Sequence, residues 1–208
     1  MKGLLLKDWY MMRKYCRVYL VICLGFLFLS VMDSENMFFV FYPCLLTGIV
    51  PVNLLAYDER SRWLQYSGTL PYTRAQIVSG KYLIGLLIQA AVLAATGIVQ
   101  SIRMAVNGNF VLNDLLVLLL LMMSVAAITS SITLPFVFRL GVEKGRAAYY
   151  VMVGFVCAAS VLMTNLFRGP LQTEIQPNLL LLLLAAAGVG VYVLSWYLSI
   201  VFYRKREL

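Results

Sequence analysis

The chain contains no histidine, which removes bis-histidine haem anchoring and histidine-based proton relays from consideration. Acidic residues are scarce, nine against seventeen Lys and Arg, and no charge of either sign falls near the middle of a long apolar stretch. Proton- or sodium-coupled carriers place such a group at mid-depth, where its cost is accepted for function. The Walker A pattern GxxxxGK[ST] is missing, so the chain does not hydrolyse ATP itself, and uphill work would draw its energy from a partner. Cys16, Cys23, Cys44 and Cys157 lack CxxC spacing, which supports neither a disulfide framework nor a metal site. Enzymes at membranes need acid clusters, histidine or metal ligands near the interface, whereas Glu143 beside Lys144 and Arg146 reads as a solvated loop. The chain is therefore not expected to be an enzyme.

What the chain has is apolar length. Of its 208 residues 62% are hydrophobic and 12% charged, and the mean hydropathy is +0.86. Six continuous runs, at 17–32, 37–57, 76–99, 115–138, 147–166 and 178–203, hold roughly 16–26 residues each, against the roughly 17–25 that span a bilayer as helix. Continuity argues for helices, since barrel strands would alternate with period two. The spans leave no room for a soluble catalytic domain, so residues 1–208 read as a single all-α transmembrane domain.

Charge sets the orientation. Lys2, Lys7, Arg13, Lys14 and Arg17 precede the first run, and Arg60, Arg62, Arg74 and Lys81 lie around the connection between the second and third. Arg139, Lys144 and Arg146 separate the fourth from the fifth, and Arg204, Lys205 and Arg206 follow the sixth. Only Arg103 and Arg168 fall on the other side, with Asp33, Glu35, Asp114 and Glu174. By the positive-inside rule both termini are cytoplasmic. The pI of about 9.4 thus reflects topology and attraction to anionic lipid, and nucleic acid is not an expected partner. The first run lacks a small-x-small cleavage site and is followed by Asp33-Ser34-Glu35, so it reads as a retained span.

Residues 1–14 read as an interfacial helix with Leu5, Trp9 and Met12 on one face and Leu6 and Tyr10 beside them. In the second span, Pro43 and Pro51 interrupt the i→i−4 ladder, and Pro135 does so in the fourth behind Thr129, Ser130, Ser131 and Thr133; these three prolines are the expected kinks. Gly154 and Ala158 form a small-xxx-small pair suited to close helix approach, and Ala185–Gly188 with Gly190 give the sixth span a small face. The stretch 168–177, with Pro170 and Pro177, has room for a short re-entrant or surface element. No internal repeat is evident, so inverted-repeat carrier architecture gains no support.

The most unusual stretch is 58–74, between the second and third spans. Residues 58–66 are long enough for two and a half helical turns, opened by Asp58 and Glu59 and stopped by Gly68 and Pro71. Glu59, Arg62, Trp63 and Tyr66 fall at i, i+3, i+4 and i+7, one face of such a helix. Thr73 with Gln76 forms a capping-box pattern opening the third span. Trp, Tyr and Arg are the residue types of protein–protein hot spots, although aromatic side chains also anchor at bilayer interfaces.

The pattern Glu59-x-x-x-Trp63-x-x-Tyr66-x-x-x-Leu70-Pro71-x-x-Arg74, followed by Lys81-Tyr82, resembles the signature of ABC-2-type transporter permeases. The opening Met1-Lys2-Gly3-Leu4-Leu5-Leu6-Lys7-Asp8 is similar to the start of the small bacterial group that exports phenol-soluble modulins and antimicrobial peptides. The resemblance implies a multi-pass protein of the bacterial cytoplasmic membrane, working with a separate ABC ATPase and a second copy of itself or a related permease. ATP and Mg would bind on the ATPase, and none on this chain. It implies that the segment is a coupling helix docking on the ATPase through Asp58, Glu59, Arg60, Arg62, Trp63, Leu64 and Tyr66, with Leu70 and Pro71 setting its angle. It further implies a path lined mainly by the first, second and fifth spans. Without mid-span charge, such a path suits an amphipathic or antimicrobial peptide. Export of a lipid or hydrophobic drug, and a non-pumping accessory or immunity protein, are the alternatives.

Overall fold

The computed structural model describes the backbone of residues 2–32, 37–67, 69–108, 110–166 and 177–205; the side chains of 37, 64, 156, 157, 159–184 and 205 fall outside the description. The element considered for 168–177, Cys157 and the contacts of Leu64 therefore lie outside the described residues. The chain forms eight helices there and no strand: α1 Lys2–Tyr15, α2 Arg17–Met32, α3 Met37–Arg60, α4 Trp63–Ser67, α5 Arg74–Val106, α6 Leu112–Leu140, α7 Val142–Leu166 and α8 Pro177–Lys205. Each apolar run became helix because a helix alone satisfies every backbone N–H and C=O within its own segment.

Among the described residues, α3, α5, α6 and the Ala185–Arg204 part of α8 are long and apolar enough to cross a membrane. The pair α1 and α2, bent by 68° at Cys16, makes a fifth if counted as one. Alone, α2 has 16 residues, about 24 Å of rise against a hydrocarbon core of about 30 Å. The helices overrun the apolar runs: α5 has 33 residues, about 50 Å, so its ends extend beyond a bilayer core.

Pro43 and Pro51 do not divide α3, and Pro135 does not divide α6; each helix continues through them. In α6 the Thr129, Ser131 and Thr133 hydroxyls donate to the carbonyls of Val125, Ala127 and Thr129, hiding polar atoms inside an apolar helix. Close approach occurs at other glycines than the small pair suggested. Gly154 and Ala158 are exposed, and a Cβ on Gly154 would meet nothing within 4 Å. Instead, a Cβ on Gly48 would lie 2.6 Å from Thr129 Cγ2, and one on Gly85 would lie 2.9 Å from Pro51 Cγ. Gly145 is tighter still, since its Cβ would run into Val137 Cγ2 and sit 3.0 Å from Val137 Cα. Gly145→Ala should therefore force α7 off α6, destabilising the protein by about 1–3 kcal/mol. Thermal unfolding in detergent checks this, and an unchanged midpoint would mean the α6–α7 joint is looser than drawn here.

The largest helix pair is α6 with α8, and α5 locks to α8 through Tyr82. Its hydroxyl lies 2.7 Å from both Ser195 Oγ and Ser199 Oγ, its ring stacks on Trp196, and its carbonyl accepts from the Tyr192 hydroxyl at 2.9 Å. Gln89 joins α5 to α6, donating from Nε2 to the Ala126 carbonyl and the Ser130 hydroxyl. Such uncharged polar contacts hold helices together where the hydrophobic effect offers no preference between helix and lipid.

Candidate functional site

The basic segments converge at one end of the bundle. The Arg74 guanidinium donates to the carbonyls of Tyr203 and Arg204, which fixes the last turn of α8 beside the first turn of α5. A cation there also complements the negative end of the α8 dipole. Arg139 lies over the Phe202 ring at 5.2 Å, and Arg146 donates to Asn53 Oδ1 at 3.2 Å, bringing the α6–α7 connection to the same end. A cleft of about 450 Å³ opens there between α3 and α7, lined by Glu59, Arg60, Glu143 and Arg146 with Ala56 and Tyr57.

The helix read over 58–66 is divided. Asp58, Glu59 and Arg60 complete α3, Ser61 and Arg62 turn, and α4 restarts at Trp63. The dividing residue is Arg62, whose φ of 53° puts a non-glycine residue in the left-handed region. The turn is held by local backbone bonds: Ser61 N–H donates to the Tyr57 carbonyl, Arg62 N–H to that of Glu59, and the Arg62 carbonyl accepts from Gln65 and Tyr66. Glu59 and Trp63 thus sit on different helices, and the single face expected for Glu59, Arg62, Trp63 and Tyr66 does not form. The capping box does form, with Gln76 N–H donating to Thr73 Oγ1 at 3.3 Å and Thr73 N–H to Gln76 Oε1 at 3.1 Å.

Asp58, in the last turn of α3 before the division, faces inward. Its side chain is buried, and it closes a four-member ring of alternating charge with Lys7, Asp8 and Lys81. Lys81 Nζ is 2.6 Å from Asp58 Oδ2 and 2.7 Å from Asp8 Oδ1; Lys7 Nζ is 2.6 Å from Asp58 Oδ1 and 3.3 Å from Asp8 Oδ1. Asp8, Asp58 and Lys81 are each 1–2% exposed. Two cations and two carboxylates sum to zero, which is how a fold tolerates four charges in an apolar setting. Lys81 stands seven residues into α5, about 10 Å from its start, so the ring belongs near the interface rather than at mid-depth. Asp58 therefore faces the bundle from the last turn of α3 and does not open a surface helix.

The ring joins α1, α3 and α5, and Lys7 extends it to α4, its Nζ lying 4.3 Å from the centroid of the Trp63 ring. Trp63 is half-buried and packs against the main core cluster, with Tyr66 5.4 Å away, centroid to centroid. Arg60, Arg62, Gln65 and Tyr66 are exposed, as is Pro71; Glu59 and Leu70 are half-buried. So α4 exposes Gln65 and Tyr66 and rides on Trp63, with Arg60 at the end of α3 and Arg62 in the turn exposed just before it.

Sequence reasoning missed the ring, although it left two signals. Asp8 is the lone acid in a basic leader, and Lys81 is the lone charge inside the third apolar run. The buried face of α1 is accordingly Leu4, Asp8 and Met12, while Leu6, Trp9 and Tyr10 face outward, a different division from the one expected.

Comparison with known proteins adds the family. The profile of the ABC-2 family transporter proteins matches residues 3–204, nearly the whole chain. No curated protein and no solved structure matches the chain significantly. An all-helical chain with several membrane-length apolar helices, matched from the first residues of α1 to the last turn of α8, belongs to the ABC-2 family of membrane transporter proteins.

Proposed function

We propose that this chain is the transmembrane subunit of an ABC exporter, crossing the bacterial cytoplasmic membrane six times with both termini inside. Two copies would work with two separate ATPase subunits. In this reading α2, α3, α5, α6, α7 and α8 are the crossings, α1 lies along the inner interface, and α4 docks on the ATPase. Support for the orientation is the gathering of Arg74, Arg139, Arg146 and Arg204 at one end of the bundle. The observation that carries the coupling role is α4 and the turn before it: Arg62, Gln65 and Tyr66 are exposed, while Trp63 receives Lys7, a corner of the charge ring that joins α1, α3 and α5. A surface element built that way transmits displacement instead of absorbing it.

Mechanically, ATP binding would close the ATPase pair and pull both α4 helices. The ring would carry α1, α3 and α5 along as one body, and the spans would re-pack so that the cavity changes side. For ATP to shift the population decisively, its preference for one conformer must amount to several kcal/mol. The cargo we propose is an amphipathic or antimicrobial peptide. The buried polar groups deep in the described spans, such as Gln89, Thr96 and Ser130, are uncharged, which suits such a cargo better than an ion or a sugar.

The test is co-expression with the cognate ATPase, purification, and transport in inside-out vesicles. Co-elution of the two chains and ATP-stimulated uptake of a hydrophobic peptide are expected. An ATPase that never co-elutes would refute the exporter reading in favour of a non-pumping membrane protein. Co-elution with stimulated lipid but not peptide movement would overturn the cargo alone.

A further inference from the structure

A cavity of about 490 Å³ lies where α1 ends against the end of α3, lined by Met11, Tyr15, Tyr57, Arg60 and Ser61. That is within the range of small-ligand clefts, roughly 300–1,000 Å³. Its chemistry is lopsided. Arg60 is exposed, as are Arg13, Lys14 and Arg17 around the elbow, and among the described residues none of the four forms an ion pair. Of the nearest acids in sequence, Asp8 and Asp58 are neutralised in the buried ring, and Glu59 lines the adjoining cleft beside Glu143 and Arg146, on the far side of the Tyr57 and Arg60 that the two clefts share.

Several carbonyls at the two helix ends are engaged. Those of Met12, Tyr57 and Glu59 accept from backbone N–H groups, that of Arg13 accepts from Arg17 Nε, and that of Asp58 accepts from the Ser61 hydroxyl. The walls are two tyrosines stacked at 4.2 Å, and Lys14 lies 5.3 Å over the Tyr15 ring. This is a net positive, donor-rich cleft with no anion of its own.

Its depth says which anion. α1 turns Leu6, Trp9 and Tyr10 outward at 55%, 45% and 62% exposure, an apolar and aromatic row carried by a basic helix, which seats it at headgroup level. Directly after the elbow, α2 exposes Val18, Val21 and Leu24, an apolar flank for acyl chains. We infer that this cleft binds the phosphate headgroup of an anionic glycerophospholipid from the adjacent leaflet. The phosphate would sit against the Arg60 guanidinium, within reach of the Tyr57 and Tyr15 hydroxyls, with Lys14 above. Guanidinium and phosphate match in charge and in planar fork geometry. A bound lipid would pin the elbow to the end of α3 from outside, where the charge ring pins it from inside.

The experiment uses the full-length chain alone, without ATPase, so that it does not depend on the coupling reading. Native mass spectrometry is run from detergent with phosphatidylglycerol or phosphatidylcholine added at equal concentration. One retained phosphatidylglycerol and little phosphatidylcholine are expected. Arg60→Gln should weaken retention by about tenfold, the usual scale for losing hydrogen bonds to a charged group. Tyr57→Phe should weaken it less. Arg139→Gln removes an equal charge elsewhere on the basic end and should leave retention close to that of the parent. Equal losses in Arg60→Gln and Arg139→Gln would reduce the effect to diffuse attraction and overturn the site. Equal retention of phosphatidylcholine, or displacement of the lipid by inorganic phosphate at the same concentration, would overturn it too.

Discussion

Lys81→Ala is expected to be the most damaging single substitution in this chain, costing about 3–5 kcal/mol, the scale for removing one partner from a buried ion pair. Lys81 holds Asp8 at 2.7 Å and Asp58 at 2.6 Å, and all three side chains are buried. Without it two carboxylates face each other with Lys7 alone between them, so one must take up a proton or the elbow must leave the bundle. The measurement is folded yield and unfolding midpoint in detergent. Asp8→Asn combined with Lys81→Gln removes one positive and one negative corner and leaves the Lys7–Asp58 pair intact. That double variant should be clearly more stable than the sum of its single variants implies, because the two charges share one network. Strict additivity would mean the four side chains do not act together, and the idea of α1, α3 and α5 moving as one body would go with it.

Tyr66→Ala should have the second largest effect, on coupling and not on folding. Tyr66 is 57% exposed at the tip of α4 and supports little of the bundle's own packing. If α4 is the surface the ATPase grips, truncating a tyrosine hot spot costs on the order of 2 kcal/mol, about a thirtyfold loss of ATPase affinity. Trp63→Ala should differ in kind. Trp63 is half-buried, packs on the core and receives Lys7 over its ring, so its loss should lower stability and transport together. Adding Glu59→Ala to Trp63→Ala should deepen the coupling defect while leaving membrane insertion intact. Pull-down of the ATPase and ATP-driven transport, set beside unfolding midpoints, separate the two classes. Tyr66→Ala with parental ATPase affinity and parental transport would mean that α4 is not the transmission element.

Much of this was legible in one dimension because the features concerned are local or periodic. The start of α2 at Arg17, the capping box of Thr73 and Gln76, and the existence of a short helix around Trp63 follow from composition and spacing within a few residues. The helix breaker at Arg62 was not legible, since arginine carries no preference for positive φ. On either side of it, Asp58 is held by Lys81 and Lys7, residues distant in sequence, and Trp63 by Lys7, contacts that no local pattern announces. The glycines show the same limit. Gly154 and Ala158 have the spacing of a packing motif and face outward, whereas Gly145, in the first turn of α7, carries the closest contact to α6.

By itself, then, the order of residues determined that the chain is helical, apolar at membrane length and basic at alternate connections. Backbone hydrogen bonding in an apolar medium admits little else. Only the folded chain decided which charges are buried, which face of α1 turns inward and where the segment after α3 breaks. The first two outcomes depend on Lys7, Asp8, Asp58 and Lys81 meeting across three helices, and a carboxylate's need for a partner in a dry interior outweighs the local preferences of the segment that carries it.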